Sequence, residues 1–499
     1  MVSEVIRVVS STIEEKLLQS CSAVIAAFFP GKKIELAEVL SASQELIMEI
    51  NTESPNSFRI RWLEDSKIIL QEVIDSPLAL FENGFRPPGK EPLFQILVKR
   101  AIFIFLKKLT GKDNPWGILT GIRPGKLLRK MADNSLTAET QTKILTALYS
   151  VSEEKTRLLQ SIAAVQSPYL NKYQANPKVI SVYLTIPFCP SRCFYCSFPS
   201  EQLSAHNQAL LSQYLQTLHE EIRMTGQMMR ELGLRADNIY IGGGTPTILE
   251  AGDLEMLLRV IRDNISTEKD LEFTVEGGRP DTIDSSKLKI LKNYGINRLS
   301  INPQSMQDET LKRIGRKHQV SDILNCYVLA REMADWVINM DLILGLPGEK
   351  FAEVSDSCEE VLKLRPDNLT VHALALKRGS IAWEENYVHS CQENWLSLQS
   401  LLDQRLGAEG YRPYYLYRQK NIVGNLENVG YALPGKECRY NIAIIEEKQN
   451  ILGLGAGAAS KILQGNSGHV NIYNPLGLNH YLKGYRQVHL KRLQALLGS

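Results

Sequence analysis

This sequence predicts an α/β fold centred on a six-stranded parallel sheet, and three observations carry that expectation. From residue 179 onward, short β-branched runs alternate strictly with longer amphipathic segments, the pattern that parallel strands joined by helical crossovers produce. Nearly every candidate strand ends on a polar or special residue: Cys189, the run GGGTPT (242–247), Glu276, Gln304, Asp341 and Ala373. Chemistry in such sheets sits at the strand C-terminal ends, and an open doubly wound sheet or a partial barrel satisfies the pattern equally. Finally, 499 residues with 44% hydrophobic and 22% charged content exceed one ordinary domain, so further domains flank the sheet.

Residues 1–170 read as an α+β domain of unassigned role. ELIMEINTE (45–53), FRIRWLE (58–64) and KIILQEVI (67–74) are strand-like, the last two joined by a polar turn at Asp65-Ser66. EPLFQILVKRAIFIFLKKL (91–109) and the segments 138–149 and 152–165 have helical periodicity. NPWGILTGIRPGKL (114–127) is a Gly/Pro-punctuated loop entering a helix, and AVIAAFF (23–29) reads as core. The polar stretch SPYLNKYQANPK (167–178) lacks periodicity and reads as a linker.

Residues 171–380 carry the six strands: VISVYLTI (179–186), NIYIGGG (238–244), LEFTVEGG (271–278), RLSINPQ (298–304), VINMDLILGLP (337–347) and NLTVHALAL (368–376). Helical patterns at 203–232, 251–264, 284–294, 308–334 and 351–363 separate them. Residues 381–499 read as a mixed C-terminal domain. It opens with a helix over 393–410 that ends at Gly410, and a stretch rich in Tyr, Arg and Lys follows.

Fifty-seven basic residues balance 55 acidic ones for a net charge of +2, so no global field points to nucleic acid or an acidic membrane. No run reaches the ~18 apolar residues of a membrane span. The N-terminus has Glu4 and Arg7 early and no small-residue cleavage site, so no signal peptide is expected. A cytoplasmic location follows, where thiols stay reduced and clustered cysteines mean metal or catalysis.

Of eight cysteines, Cys21, Cys326, Cys358, Cys391 and Cys438 are scattered and read as small core hydrophobes. Cys189, Cys193 and Cys196 instead fall within eight residues, directly after the first of the six candidate strands. A zinc site wants four ligands, commonly as two Cys-x-x-Cys pairs, and the sequence has no second pair. An iron–sulfur cube fits better, because four corners each want a ligand and three thiolates leave one iron open. Phe188, Phe194, Tyr195 and Phe198 would shield such a cluster from solvent.

Cys-x3-Cys-x2-Cys after the first strand of a six-strand β/α domain resembles the radical S-adenosylmethionine (SAM) superfamily, over roughly 179–380. That resemblance implies a partial (β/α)6 barrel and a 4Fe-4S cluster on Cys189, Cys193 and Cys196. It also implies SAM on the open iron, cleaved by one electron to methionine and a 5′-deoxyadenosyl radical. By their motifs, Tyr183, Tyr195, Gly242, Gly243, Gly244, Thr245, Glu276, Gln304, Arg316, Asp341, Ile343 and Ala373 are then the SAM contacts. The glycines are needed because a side chain would block close approach.

YLTIPFCPSRCFYC, GGGTPTIL, RLSINPQSMQDETLKRIGRKH and DLILGLPGE resemble the oxygen-independent coproporphyrinogen oxidase group. PWGILTGIRPGKL and the run 414–462 narrow this to coproporphyrinogen dehydrogenases of the HemZ type, over nearly the whole chain. The implied reaction is oxidative decarboxylation of two propionates of coproporphyrinogen III to vinyls. It gives protoporphyrinogen IX in haem biosynthesis and consumes two SAM. The implied partners are a porphyrinogen, an unidentified electron donor and an unidentified acceptor, with no nucleic acid. The C-terminal domain would cover the substrate, whose carboxylates call for cations: Arg412, Arg418, Lys420 and Arg439, with Tyr417 among the interleaved tyrosines.

The chain departs from the group at one place. The standard bacterial enzyme has a further cysteine two residues beyond the third ligand, where this chain has Phe198. Related haem chaperones lack that cysteine too, so a haem-binding chaperone on the same scaffold stands as an alternative. Those relatives carry a His-Asn pair, and the matching dipeptide here is Tyr440-Asn441. Another radical SAM reaction, porphyrin ring opening or RNA modification, is the third reading, although no RNA module is recognisable. GLGAGA (453–458) fits a loose dinucleotide pattern, but no acidic residue lies ~20 positions on to hold a ribose.

Overall fold

The computed structural model describes residues 5–37, 46–82, 85–121, 123–387, 394–420, 422–465 and 468–498. The chain divides into two compact units, Met1–Ala163 and Ala164–Ser499. In the first, strands β1 (Val5–Val9), β2 (Lys33–Leu36), β3 (Leu46–Ser54), β4 (Ser57–Glu64) and β5 (Lys67–Asp75) form one sheet in the order β2-β1-β3-β4-β5. Asp65 and Ser66 both take positive φ (48° and 65°), as a two-residue hairpin between twisted strands requires. AVIAAFF falls at the end of the helix Glu15–Phe28, whose Phe28 meets Phe103 of the helix Leu93–Thr110 edge-on at 5.5 Å.

The second unit opens with β6 (Val179–Ile186), followed by the short strands β7 (Phe188–Cys189) and β8 (Glu201–Gln202). The other parallel strands are β9 (Arg235–Gly243), β10 (Thr267–Glu276), β11 (Arg298–Ser300), β12 (Val337–Leu344) and β13 (Asn368–Ala373). These six, β6 and β9 to β13, stand side by side in chain order. A doubly wound sheet reverses its order at a switch point, and this one does not. Right-handed crossovers therefore place the helices on one face, the arrangement of a partial barrel.

Residues 381–499 were expected as a separate domain, yet they form no compact unit of their own, because they add strands to the same sheet. On one edge β14 (Arg412–Tyr417) and β15 (Asn428–Ala432) run antiparallel beyond β13. On the other, β16 (Ile451–Leu454) runs parallel to β6, and β17 (Ala459–Leu463) and β18 (His469–Tyr473) extend it. The GLGAGA run is thus the end of β16 and its turn into β17.

Two further expectations change. The linker at 167–178 is mostly helix, since Glu153–Ala175 runs through Pro168. Its polar look is overridden by packing: Leu170 and Tyr173 are buried with Tyr414 and Tyr415, and the Gln166 side chain donates to the Tyr414 carbonyl at 3.0 Å. The single helical pattern at 308–334 is two helices, Asp308–Arg313 and Val320–Met333. Gly315, at φ +77°, breaks it and turns the chain at Arg316. Cys391 lies outside the described residues, and the other four scattered cysteines are buried and free.

Candidate active site

The cysteine loop is tied at its neck and at its tip. β7 and β8 pair in parallel, with the Glu201 amide donating to the Pro187 carbonyl and the Leu203 amide to the Cys189 carbonyl, both at 2.9 Å. At the tip, the Phe194 amide donates to the Ile314 carbonyl at 3.0 Å and the Ser191 hydroxyl to the Gly315 carbonyl at 2.7 Å. Each thiol meets a donor. Thr245 Oγ1 lies 3.6 Å from Cys189 Sγ, Arg279 Nη2 3.1 Å from Cys193 Sγ, and the Phe198 amide 3.4 Å from Cys196 Sγ.

This donor set fits a cluster. A cube takes each thiolate at a separate corner. Donors already aimed at the sulfurs would stabilise thiolates and the cluster's negative charge.

The glycine-rich strand end lies beside it. Gly243 has φ +104°, and a Cβ there would stand 2.7 Å from Thr185 Cγ2; at Gly244 one would stand 2.5 Å from the Phe188 carbonyl oxygen. Only hydrogen fits at either place. A Cβ on Gly242 would press on the Glu276 carboxylate at 2.8 Å, so Gly242 and Glu276 face one another. Glu276 accepts from the Tyr240 hydroxyl at 2.6 Å and from the Gly243 amide at 3.3 Å. Burial, with the nearby Asp341 charge, pushes its pKa up to about 7.

Asp341, two strands further on, is tuned oppositely. Burial disfavours its charge, but bonds from His372, Asn339 and Thr370 outweigh that and hold its pKa below the usual carboxylate value. Asn339 Nδ2 is 2.9 Å from Asp341 Oδ1, and His372 Nε2 is 3.8 Å from Oδ2. Gln304 sits at φ +69°, a left-handed conformation that costs a non-glycine residue of order 1–3 kcal/mol. It is held there by backbone bonds to Asp341 (2.8 Å) and Ile343 (2.9 Å). Arg316 is buried and donates to the Gly278 and Asn302 carbonyls and, at 3.3 Å, to the Tyr195 hydroxyl. Ile343 and Ala373 are buried at the ends of β12 and β13, and the Ala373 amide donates to Asn428 Oδ1 at 3.0 Å. Tyr183 stacks on Tyr240 at 6.1 Å and on Tyr440 at 5.5 Å.

The five expected substrate residues divide between the two ends of the sheet. Antiparallel pairing sets Arg412 opposite Ala432, which lies opposite Asn368 at the start of β13. Arg412 is therefore far from the strand C-terminal ends. Arg439 is at that same lower end, paired with Asp237 and Asp270. A sequence run that mixes Arg with Tyr does not reveal that an antiparallel strand carries its two ends to opposite sides. Tyr417 does reach the site, with its hydroxyl 3.3 Å from His372 Nδ1. Arg418 follows it, buried and donating to the Asn425 side chain at 2.6 Å, and burial pushes its pKa down to about 10. Lys420 is exposed.

Sequence reasoning passed over three residues here: Arg279, His372 and Tyr240. Arg279 stands only three residues beyond Glu276 and His372 directly before Ala373, so position relative to a recognised strand end was the available signal.

The Radical SAM superfamily matches residues 183–361 of this chain. The chain is 40% identical over 410 residues to the oxygen-independent coproporphyrinogen-III oxidase-like protein HemZ of Bacillus subtilis, covering 80% of this chain and 82% of that one. It is also 31% identical over 317 residues to the heme chaperone HemW of the same organism, covering 62% and 78%. Among solved structures, coproporphyrinogen III oxidase (HemN) from Escherichia coli shares the fold, with a TM-score of 0.51 at 24% identity over 65% of this chain and 73% of that chain. A 4Fe-4S cluster and SAM are the cofactors of that superfamily. No described helix is long and apolar enough to cross a membrane.

Proposed function

Because this chain belongs to the radical SAM superfamily, among its oxygen-independent coproporphyrinogen-III oxidase-like proteins, we propose that it decarboxylates two propionates of coproporphyrinogen III oxidatively to vinyls, forming protoporphyrinogen IX. When bound, cluster and SAM supply one-electron chemistry that removes a hydrogen atom from an unactivated carbon. Cys189, Cys193 and Cys196 would hold the cluster. The glycine strand end admits SAM closely, Glu276 and Asp341 offer it acceptors, and Gln304, Arg316, Tyr195, Thr245, Ile343 and Ala373 line the same ends. Tyr183, Tyr240 and Tyr440 close the interior with stacked rings, which keeps water away from a reactive centre. Tyr417, Arg418 and Lys420 are the substrate-side residues at this end. An electron donor and a terminal acceptor complete the reaction.

Tyr440 is the observation that carries the enzymatic reading over the chaperone. By the motif resemblance, it stands where the haem chaperones are expected to carry a histidine. Here it is 9% exposed and stacked on Tyr240 at 4.5 Å. Burial, with the neighbouring Tyr183 and Glu276, raises its pKa well above the ordinary phenol value, so it stays a neutral packing group and a poor iron ligand. The test is an anaerobic assay with reductant, SAM and coproporphyrinogen III deuterated at the propionate β-carbons. Protoporphyrinogen IX and two deuterated 5′-deoxyadenosines per product are expected. Stoichiometric haem binding without substrate-dependent SAM cleavage would instead establish the chaperone. Cleavage without deuterium transfer or vinyl formation would remove coproporphyrinogen as substrate.

A further inference from the structure

Two arginines are buried beside the cysteine loop without the partner that buried arginines ordinarily require. Arg279 and Arg316 are 3% and 8% exposed. Their hydrogen-bond partners are the Ser191 carbonyl and the Cys193 thiol for Arg279, and two carbonyls and a phenol for Arg316. No carboxylate is among them. A buried charge with no carboxylate in hydrogen-bond contact is only partly compensated, so a guanidinium placed this way suits an anionic ligand. Each keeps a buried nitrogen with no hydrogen-bond partner among the described residues, Nη1 of Arg279 and Nε of Arg316, and Arg279 carries the stronger signal because its Nη2 lies 3.1 Å from Cys193 Sγ.

Backbone geometry explains how Arg279 gets there. After Glu276 the chain turns through Gly277 and Gly278, the latter at φ +60°. The Gly278 amide is tied to the Ser300 carbonyl at 3.0 Å and its carbonyl accepts from Arg316 Nη1 at 3.0 Å. One strand end therefore directs Glu276 toward the glycines and Arg279 toward Cys193. Beyond it, Asp281 lies 3.2 Å from the buried His318 ring and feels the Arg279 charge. Lys377 faces Cys196 as a further cation.

We propose that Arg279 is a positioning residue for the cluster: it donates to the Cys193 thiolate and places a fixed positive charge that raises the cluster's reduction potential. Reduction adds one negative charge to the cluster. A buried cation with donors aimed at sulfur stabilises the reduced form more than the oxidised one. Arginine suits the task because it stays charged and its planar fork reaches a carbonyl and a sulfur together. The inference rests on the cluster alone and is independent of which substrate the protein takes.

The test uses the full chain, reconstituted anaerobically with iron and sulfide, in Arg279→Met, Arg279→Lys and Asp281→Asn variants. The readouts are iron content and the midpoint potential from a redox titration followed by electron paramagnetic resonance. Arg279→Met should move the midpoint negative by the equivalent of a tenfold change in the reduction equilibrium, about 59 mV for one electron. Arg279→Lys should recover part of that shift, since charge returns without the fork. Asp281→Asn removes an opposing negative charge and should move the midpoint positive. Wild-type potentials in iron-replete Arg279→Met would overturn the proposal. If that variant fails to hold iron, unshifted potentials in both Arg279→Lys and Asp281→Asn would overturn it equally.

Discussion

The two ends of the parallel sheet treat buried charge in opposite ways. At the strand-start end, opposite charges meet. Asp237, fully buried, lies between Lys172 and Arg439. Glu272 accepts from the Arg439 amide at 3.0 Å and the Tyr440 amide at 3.3 Å, and the buried Arg298 reaches the Lys436 carbonyl at 2.9 Å. Burial works against the Arg298 charge, yet Cys438 and Glu272 outweigh it and raise its pKa. At the strand-finish end, Glu276 and Asp341 repel one another, while Arg279 and Arg316 face a thiol and a phenol. At the base Asp237 Oδ2 and Arg298 Nη2 also lack hydrogen-bond partners among the described residues, but opposite charges surround them and support the fold, whereas charges without such neighbours can serve ligands. The same sheet thus keeps a sealed base and a receptive rim.

The sharpest way to break this comparison is at the rim. Cys193→Ala, reconstituted anaerobically, should lack the cluster's iron and visible absorbance while keeping wild-type far-ultraviolet circular dichroism. The same holds for Cys189→Ala and Cys196→Ala. Full iron in all three would remove the loop as a cluster site.

At the base the effect should fall on stability. Arg298→Ala removes one of the two cations near the buried Glu272, Arg439 being the other, and is expected to cost about 3 kcal/mol in urea unfolding. SAM affinity of the folded fraction should stay unchanged. A stability loss below 1 kcal/mol would show that the base is not held by charge.

Asp341→Ala at the rim should do the reverse. Loss of a charge-assisted acceptor is expected to weaken SAM binding by about 1.5–3 kcal/mol with the cluster intact. Equilibrium binding of SAM to the reconstituted variant measures it, and unchanged affinity would take Asp341 out of the SAM site.

The smallest expected effect is a pH profile. The Glu276 pKa is raised from 4.5 to about 7, so between those values the folded protein holds a proton that the unfolded chain has lost. Stability therefore falls as pH rises through that window and levels off above it. SAM affinity should rise toward pH 7 and above as the carboxylate forms. Glu276→Gln should flatten both profiles, and a wild-type slope in the variant would assign the titration elsewhere.

Much of this protein could be read before any coordinates. The strand VISVYLTI matches β6 residue for residue, and the helix at 251–264 matches Ala251–Asn264, because their apolar periods are strong and local. Three cysteines on one loop and a glycine run at the next strand end are likewise local patterns, set by the needs of the ligand that approaches them. Tertiary structure decided what depends on partners distant in sequence. Helix continues through the polar 167–175 because Leu170 and Tyr173 find Tyr414 and Tyr415 about 245 residues away. Arg412 and Tyr417 lie in one short run, but an antiparallel strand sends the first to the base and the second to the rim. Arg279 looked like any turn arginine until the fold set its guanidinium against Cys193, 86 residues earlier in the chain. Period and spacing are properties of a segment, whereas the partner of a buried charge is a property of the packed molecule.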